Sequence, residues 1–244
     1  MSELQIIERS NANNKKNDDS TAFVRQGDRA ILCIADGVTN MPLSDLASAF
    51  CTKSVKMWGE VKDANQMGRR TTLREMADLI YKLQIDLLGI EKAKGDTLAT
   101  TFILAVVGIG KMIIASIGDS RVYVCQNGRC SKVTKDQTAA EWEKSKGISY
   151  DLDEEEKKST LTEWLGSGKE EGEPLPKYYE IELEEDTAVL LCTDGLYHKL
   201  TKEEIYEAAF GSSDIESSLE DLIETVIERG ETDNISGVLY RRRP

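Results

Sequence analysis

The run Ala30-Ile31-Leu32-Cys33-Ile34-Ala35 is apolar at every position and stops abruptly at Asp36-Gly37. A short apolar run rich in branched residues and closed by a turn signal reads as a strand buried on both faces. The acid then sits at the edge of the core. Gly37 lets the backbone turn there, and its missing side chain leaves its carbonyl approachable by a ligand.

The same device recurs. Thr187 to Thr193 is apolar and ends in Asp194-Gly195, Lys111 to Ile117 ends in Gly118-Asp119-Ser120, and Asp233-Asn234 immediately precedes the apolar stretch Ile235 to Tyr240. Each case alone is also consistent with an Asx-turn closing a hairpin. Four strands that each carry an aspartate at one end read differently if those ends converge. Two carboxylates about 4 Å apart repel by about 4 kcal/mol at an effective dielectric near 20. Such a cluster needs cations, and hard oxygen donors without clustered His or Cys favour magnesium or manganese over zinc or copper.

Charge limits the partners. Acidic residues outnumber basic ones 44 to 31, a net charge of −13, which opposes binding to nucleic acid or to an anionic membrane surface. No apolar run approaches the roughly 20 residues of a membrane span, and the amino terminus lacks a secretion signal, so a cytoplasmic protein is expected. The five cysteines lie mostly in apolar stretches, where reduced thiols act as small hydrophobes. Cys125 and Cys130 flank the hairpin signal Asn127-Gly128 and could face each other, but neither belongs to a C-x-x-C unit.

At 244 residues with no linker-like stretch, residues 1–244 are expected to form one domain. Residues 6–17 read as a polar lead, followed by a short strand after Asp18-Asp19-Ser20. A helix opens at Ser44, and a second at the capping box Thr72-Leu73-Arg74-Glu75, running towards Gly95. Antiparallel strands cover Leu98 to Val133. Residues 135–176 turn polar and read as a surface insertion or flap. Strands from Tyr178 to Thr193 follow, then helices capped at Thr201 and near Asp214, then the last strand. That order suits an α+β layered sandwich rather than a parallel doubly wound sheet.

Taken together, Asn17-Asp18-Asp19-Ser20, Asp36-Gly37, Gly118-Asp119-Ser120-Arg121, Thr193-Asp194-Gly195 and Asp233-Asn234 resemble, in this order, the motifs of the metal-dependent type 2C protein phosphatases, especially their compact bacterial members. The resemblance implies a four-layer α-β-β-α sandwich with two antiparallel sheets, and two divalent metals, Mn2+ or Mg2+, held between them. It makes Asp36 the bridge between the metals. Asp194 and Asp233 complete one site, and Asp18 with the Gly37 carbonyl holds the other. Asp119 resembles the ligand of a third, weaker metal. Asp19 stands behind the ligands, as does Asn234, which resembles the residue beside the site that orients solvent or ligand.

Four departures stand out. Asp18 replaces the glutamate usual at that position, and Asn14 replaces an arginine that binds substrate phosphate; Lys15 or Lys16 then either substitutes as a point charge or is simply a solvated lysine. His198 stands where some members carry a further acid for the third metal and reads either as a ligand or, more readily, as a surface histidine after a strand-to-helix loop. Val38 replaces a histidine that some relatives use to protonate the leaving group.

The reading that follows is a metal-dependent phosphatase acting on phosphoserine or phosphothreonine in a protein, opposing a Ser/Thr kinase. Two alternatives stay open: a catalytically weak scaffold that binds a phosphoprotein or kinase, and a phosphohydrolase of small metabolites.

Overall fold

The computed structural model describes residues 3–13, 15–61, 69–147, 149–168 and 174–244. Asn14 therefore lies outside the described residues, as do the side chains of residues 69–71. The expected four layers are present.

One sheet has the order β1-β12-β11-β7-β8, built from Glu3–Asn11, Ile235–Arg243, Thr187–Cys192, Arg121–Gln126 and Arg129–Lys132. The other has the order β10-β6-β5-β3-β2, from Lys177–Glu182, Lys111–Ile117, Phe102–Val107, Arg29–Asp36 and Asp19–Gln26. Every pairing is antiparallel. Leu32, Ile34 and Ile103 of one sheet meet Val122, Leu191, Val238 and Tyr240 of the other in the central core. Because strand side chains alternate, the opposite face of each sheet needs its own cover. Helices α1 (Ser44–Val61) and α2 (Arg69–Lys94) bury Cys51, Val55, Met76, Ile80 and Leu83 against Ile31, Cys33 and Leu104. On the far side α6 (Lys202–Gly211) and α7 (Ile215–Glu228) bury Ile205, Leu219, Leu222 and Val226 against Leu190 and Leu239.

Where expectation and structure differ, the reason is physical. Residues 6–11 belong to β1, an edge strand that buries only Leu4 and Ile7; its order comes from the nine-residue ladder to β12 rather than from its own apolar content. Thr72 does not open α2, which begins at Arg69, so the capping box there is a pattern without a cap. Thr201 and Asp214 do cap α6 and α7, Thr201 through a complete capping box. Cys125 and Cys130 face each other in the β7–β8 register and form a disulfide, whereas Cys33, Cys51 and Cys192 are free and buried.

The 135–176 segment contains α3 (Ala139–Lys146), α4 (Glu154–Ser159) and β9 (Leu165–Gly166), and it is tied down at both ends. Asp136, Gln137, Thr138 and Ala139 are buried at one end. At the other, β9 pairs with β4 (Ala99–Thr100), and the Gln84 amide of α2 both donates to the Gly166 carbonyl and accepts from its N–H. None of the described helices is long and apolar enough to cross a membrane.

Candidate metal centre

Antiparallel pairing brings the acidic strand ends to one end of the sandwich. Asp19 opens β2 and Asp36 closes β3, and the two are direct register partners. The chain crosses from one sheet to the other between β6 and β7, at Gly118-Asp119-Ser120. In the second sheet Cys192 stands opposite both Arg121 and Gly237, so Asp194 just beyond β11 and Asp233 just before β12 lie at this same end. A cleft of about 500 Å³ is lined by Asp36, Asp119, Asp194 and Asp233 on one side and by Val38, Met41, Leu161 and Trp164 among others. A neighbouring recess of about 430 Å³ shares Asp36 and Asp233 and adds Asp18, Lys15, Lys16 and Asn234.

The backbone around Asp36 is clamped. Its N–H donates to Thr101 Oγ1 at 3.0 Å, and its carbonyl accepts from the Thr101 N–H at 2.7 Å and the Thr100 hydroxyl at 2.9 Å. The Thr101 hydroxyl also meets that of Ser120 at 2.8 Å, which couples Asp36 to the Asp119 turn. Gly37 donates its N–H to the Asp18 carbonyl at 3.0 Å. A Cβ on Gly37 would lie 2.7 Å from the Ser44 carbonyl oxygen, so a glycine is what allows the start of α1 to pack there.

Burial and crowding set the electrostatics. Burial pushes the Asp19 carboxyl up to about 7 and that of Asp119 up to about 8, with the charge of Asp194 adding to both. Asp36 is raised well above the usual carboxylate range by burial and then by Asp19, Asp194 and Asp119. Asp194 is raised by burial and by Asp233, and the charge of His198 opposes the shift. Four acids that resist ionisation at one site need added positive charge.

The donor set fits hard divalent cations. Asp19 Oδ1 is buried and accepts no hydrogen bond, and Asp18 Oδ1 meets only the Lys16 ammonium at 3.5 Å, so acceptors are left for an incoming cation. Among the described residues no three His, Cys, Asp or Glu side chains enclose a point by themselves. Magnesium and manganese take carboxylate and carbonyl oxygens together with water and need no closed all-protein cage, so water would complete the shell around these carboxylates.

Asn234 is bonded to backbone on both sides of its amide. It is 4% exposed, its Oδ1 accepts the Asp18 N–H at 2.9 Å, and its Nδ2 donates to the carbonyls of Ala12 at 2.9 Å and Lys16 at 3.1 Å. Both ends of the amide are thus spent on backbone, and the residue staples the β1–β2 loop to the cleft. Asn13 adds to the staple through the carbonyls of Glu231 and Asp233. Asp19 is held from behind by the Thr193 hydroxyl at 2.9 Å, in keeping with a supporting place. Lys15 and Lys16 do reach the cleft, but as ion-pair partners: Lys15 Nζ lies 2.5 Å from Asp233, and Lys16 Nζ lies 2.7 Å from Asp45 and 3.5 Å from Asp18. His198 is exposed at the end of the single-turn α5 (Asp194–Tyr197), edge-on to Tyr197.

A supporting layer beneath Asp119 escaped the sequence reading. The Tyr197 hydroxyl donates to the Asp119 carbonyl at 3.2 Å, and the Arg121 guanidinium stacks 3.6 Å above the Tyr197 ring while also binding Asp136 at 2.8 Å. Gln137 holds Gly118 from both sides, accepting its N–H on Oε1 at 2.8 Å and donating its own N–H to the Gly118 carbonyl at 2.9 Å. Arg121 follows the Gly-Asp-Ser motif directly and was visible there. Gln137 lies in the polar flap and carried no signal.

Comparison with known proteins agrees with this geometry. Residues 8–239 match the protein phosphatase 2C family. The serine/threonine phosphatase Stp of Listeria welshimeri is 25% identical over 231 residues, spanning 92% of this chain and 89% of its own. The crystal structure of the serine/threonine phosphatase Stp1 from Staphylococcus aureus superposes with a TM-score of 0.83 at 22% identity, covering 99% of this chain and 95% of that one. The catalytic domain of the serine/threonine protein phosphatase PstP, solved with 2 manganese ions, gives a TM-score of 0.79 at 21% identity with full coverage of both chains.

Proposed function

The chain belongs to the protein phosphatase 2C family, and from that premise we propose that it is a divalent-metal-dependent hydrolase of phosphoserine and phosphothreonine in proteins. Asp36, Asp194 and Asp233 would hold one cation, Asp36, Asp18 and the Gly37 carbonyl a second, and Asp119 a weaker third. Manganese is favoured by the PstP relative, whose structure carries that metal, and magnesium is compatible with the same oxygen donors. Bound together, such ions supply an acidified water and positive charge against the phosphoryl oxygens.

The residues of the chain do the rest. Thr100 and Thr101 hold the Asp36 main chain in place at the edge of the cleft, which its carboxylate lines. Thr193 and Asn234 fix Asp19 and Asp18. Lys15 and Lys16 place positive charge on the rim that an incoming phosphate would meet. Cys33, Cys51 and Cys192 are buried with thiols pushed up by burial, which removes them as nucleophiles. Val38, Met41, Leu161 and Trp164 form the less polar wall, with residues 135–176 acting as the flap of one phosphatase unit. A phosphoprotein substrate places the protein opposite a Ser/Thr kinase, in the cytoplasm.

The observation that carries this reading is the gathering of aspartates from both sheets at one cleft. The test is hydrolysis of a phosphothreonine peptide after chelation and after manganese is restored. Turnover should require the metal and vanish in Asp36→Asn. Turnover that persists in chelator would overturn the proposal.

A further inference from the structure

The cleft carries two cations of its own, and both sit on its outer acids. Lys15 Nζ donates to Asp233 Oδ1 at 2.5 Å, and Lys16 Nζ bridges Asp45 and Asp18 at 2.7 and 3.5 Å. Asp36, by contrast, is surrounded by the carboxyls of Asp19, Asp194 and Asp119. The lysines do not reach their partners by chance excursion of a free loop. Lys15 donates its N–H to the Ala12 carbonyl at 3.1 Å, and the Asn234 and Asn13 amides bind Ala12, Lys16, Glu231 and Asp233 around it. The loop is fastened to the very segment that carries Asp233.

We infer that Lys15 is a resident counter-ion of Asp233, and that a divalent cation loads this ligand by displacing the ammonium. The inference rests on the reading of the cleft as a divalent-cation site. An ammonium in hydrogen-bond contact with Oδ1 competes with a divalent ion for that oxygen and, by like-charge repulsion, for the carboxylate as a whole. The four-carbon stem of lysine can swing outward without moving the backbone, which makes the exchange reversible. The Lys15 and Asp233 side chains are 47% and 43% exposed, so the pair is of the weak, solvent-screened kind. Competition of that strength raises the apparent dissociation constant for the metal by about two- to fivefold. Lys15 thereby sets how much free metal the protein needs before it is loaded, while keeping Asp233 oriented in the metal-free state.

The test is calorimetric titration of the chelator-stripped full chain with manganese chloride, comparing wild type, Lys15→Gln and Lys15→Arg. Lys15→Gln should bind about two- to fivefold more tightly than wild type, and Lys15→Arg, which keeps the charge, should stay within about twofold of it. A Lys15→Gln protein that binds no more tightly than wild type would overturn the counter-ion role. Equal tightening in Lys15→Arg would do the same, because the effect would then come from loop geometry and not from charge. Absence of manganese binding by the wild type at millimolar metal would instead remove the cation site itself, and this inference with it.

Discussion

Crowded buried carboxylates make a prediction about stability that does not depend on turnover. In metal-free protein Asp19 titrates near 7 and Asp119 near 8, whereas both carboxyls in the unfolded chain ionise near 3.8. A raised folded-state value means that the folded protein binds more protons than the unfolded chain between those limits, so stability falls as pH rises through that window. Between pH 6 and pH 8 ionisation of these two carboxyls costs stability on the order of a few kcal/mol, and Asp36, raised further still, adds to the loss. Stopping at pH 8 keeps ionisation of the buried thiols out of the measurement, and the chain's one histidine is exposed. The assay is urea unfolding followed by circular dichroism, in chelator at the two pH values, on wild type and Asp119→Asn. Wild type should lose the larger amount and Asp119→Asn a clearly smaller one, because a raised carboxyl and its repulsion on Asp36 are both removed. Manganese at pH 8 should restore stability, because ionised carboxylates then find their partner. Metal-free stability that is level or rises from pH 6 to pH 8 would show that these acids are not crowded and buried together, and the site would lose its electrostatic basis.

Three substitutions probe the scaffold. Gly195→Ala places a Cβ 2.1 Å from the Asn234 carbonyl oxygen, so it should cost about 1–3 kcal/mol in thermal unfolding and weaken manganese binding by shifting the Asp233-Asn234 segment. Gln137→Ala strips the Gly118 N–H of its buried acceptor and should cost about 1–3 kcal/mol in urea unfolding; an unchanged midpoint would mean that water replaces the amide. Arg241 is 1% exposed and donates to Gln5 and to the carbonyls of Ala209, Ser212 and Ser213 at the end of α6. Arg241→Ala should therefore lower stability by about 2–4 kcal/mol, read by the same unfolding assay, with metal affinity unaffected because the site is at the far end of β12.

Much of the molecule was determined locally and was legible in the chain. Continuous apolar runs set β3, β6 and β11, glycine-containing turns set their antiparallel order, and Thr201 and Asp214 set two helix starts, because each signal lies within a few residues of the structure it specifies. The type of the donors was likewise settled in sequence: aspartates at strand ends can offer only hard oxygen. What tertiary structure alone decided is what each of those groups meets. β1 exists because β12 pairs with it across more than two hundred residues of chain, and Thr72 fails as a cap because α2 already runs through it. Asn234 became a backbone staple because Ala12, Lys16 and Asp18 arrive beside it, and Lys15 became a counter-ion because that staple sets it against Asp233. Periodicity and turn chemistry act over one or two turns of chain, whereas hydrogen-bond partners and desolvation are properties of the packed neighbourhood, which no local pattern encodes.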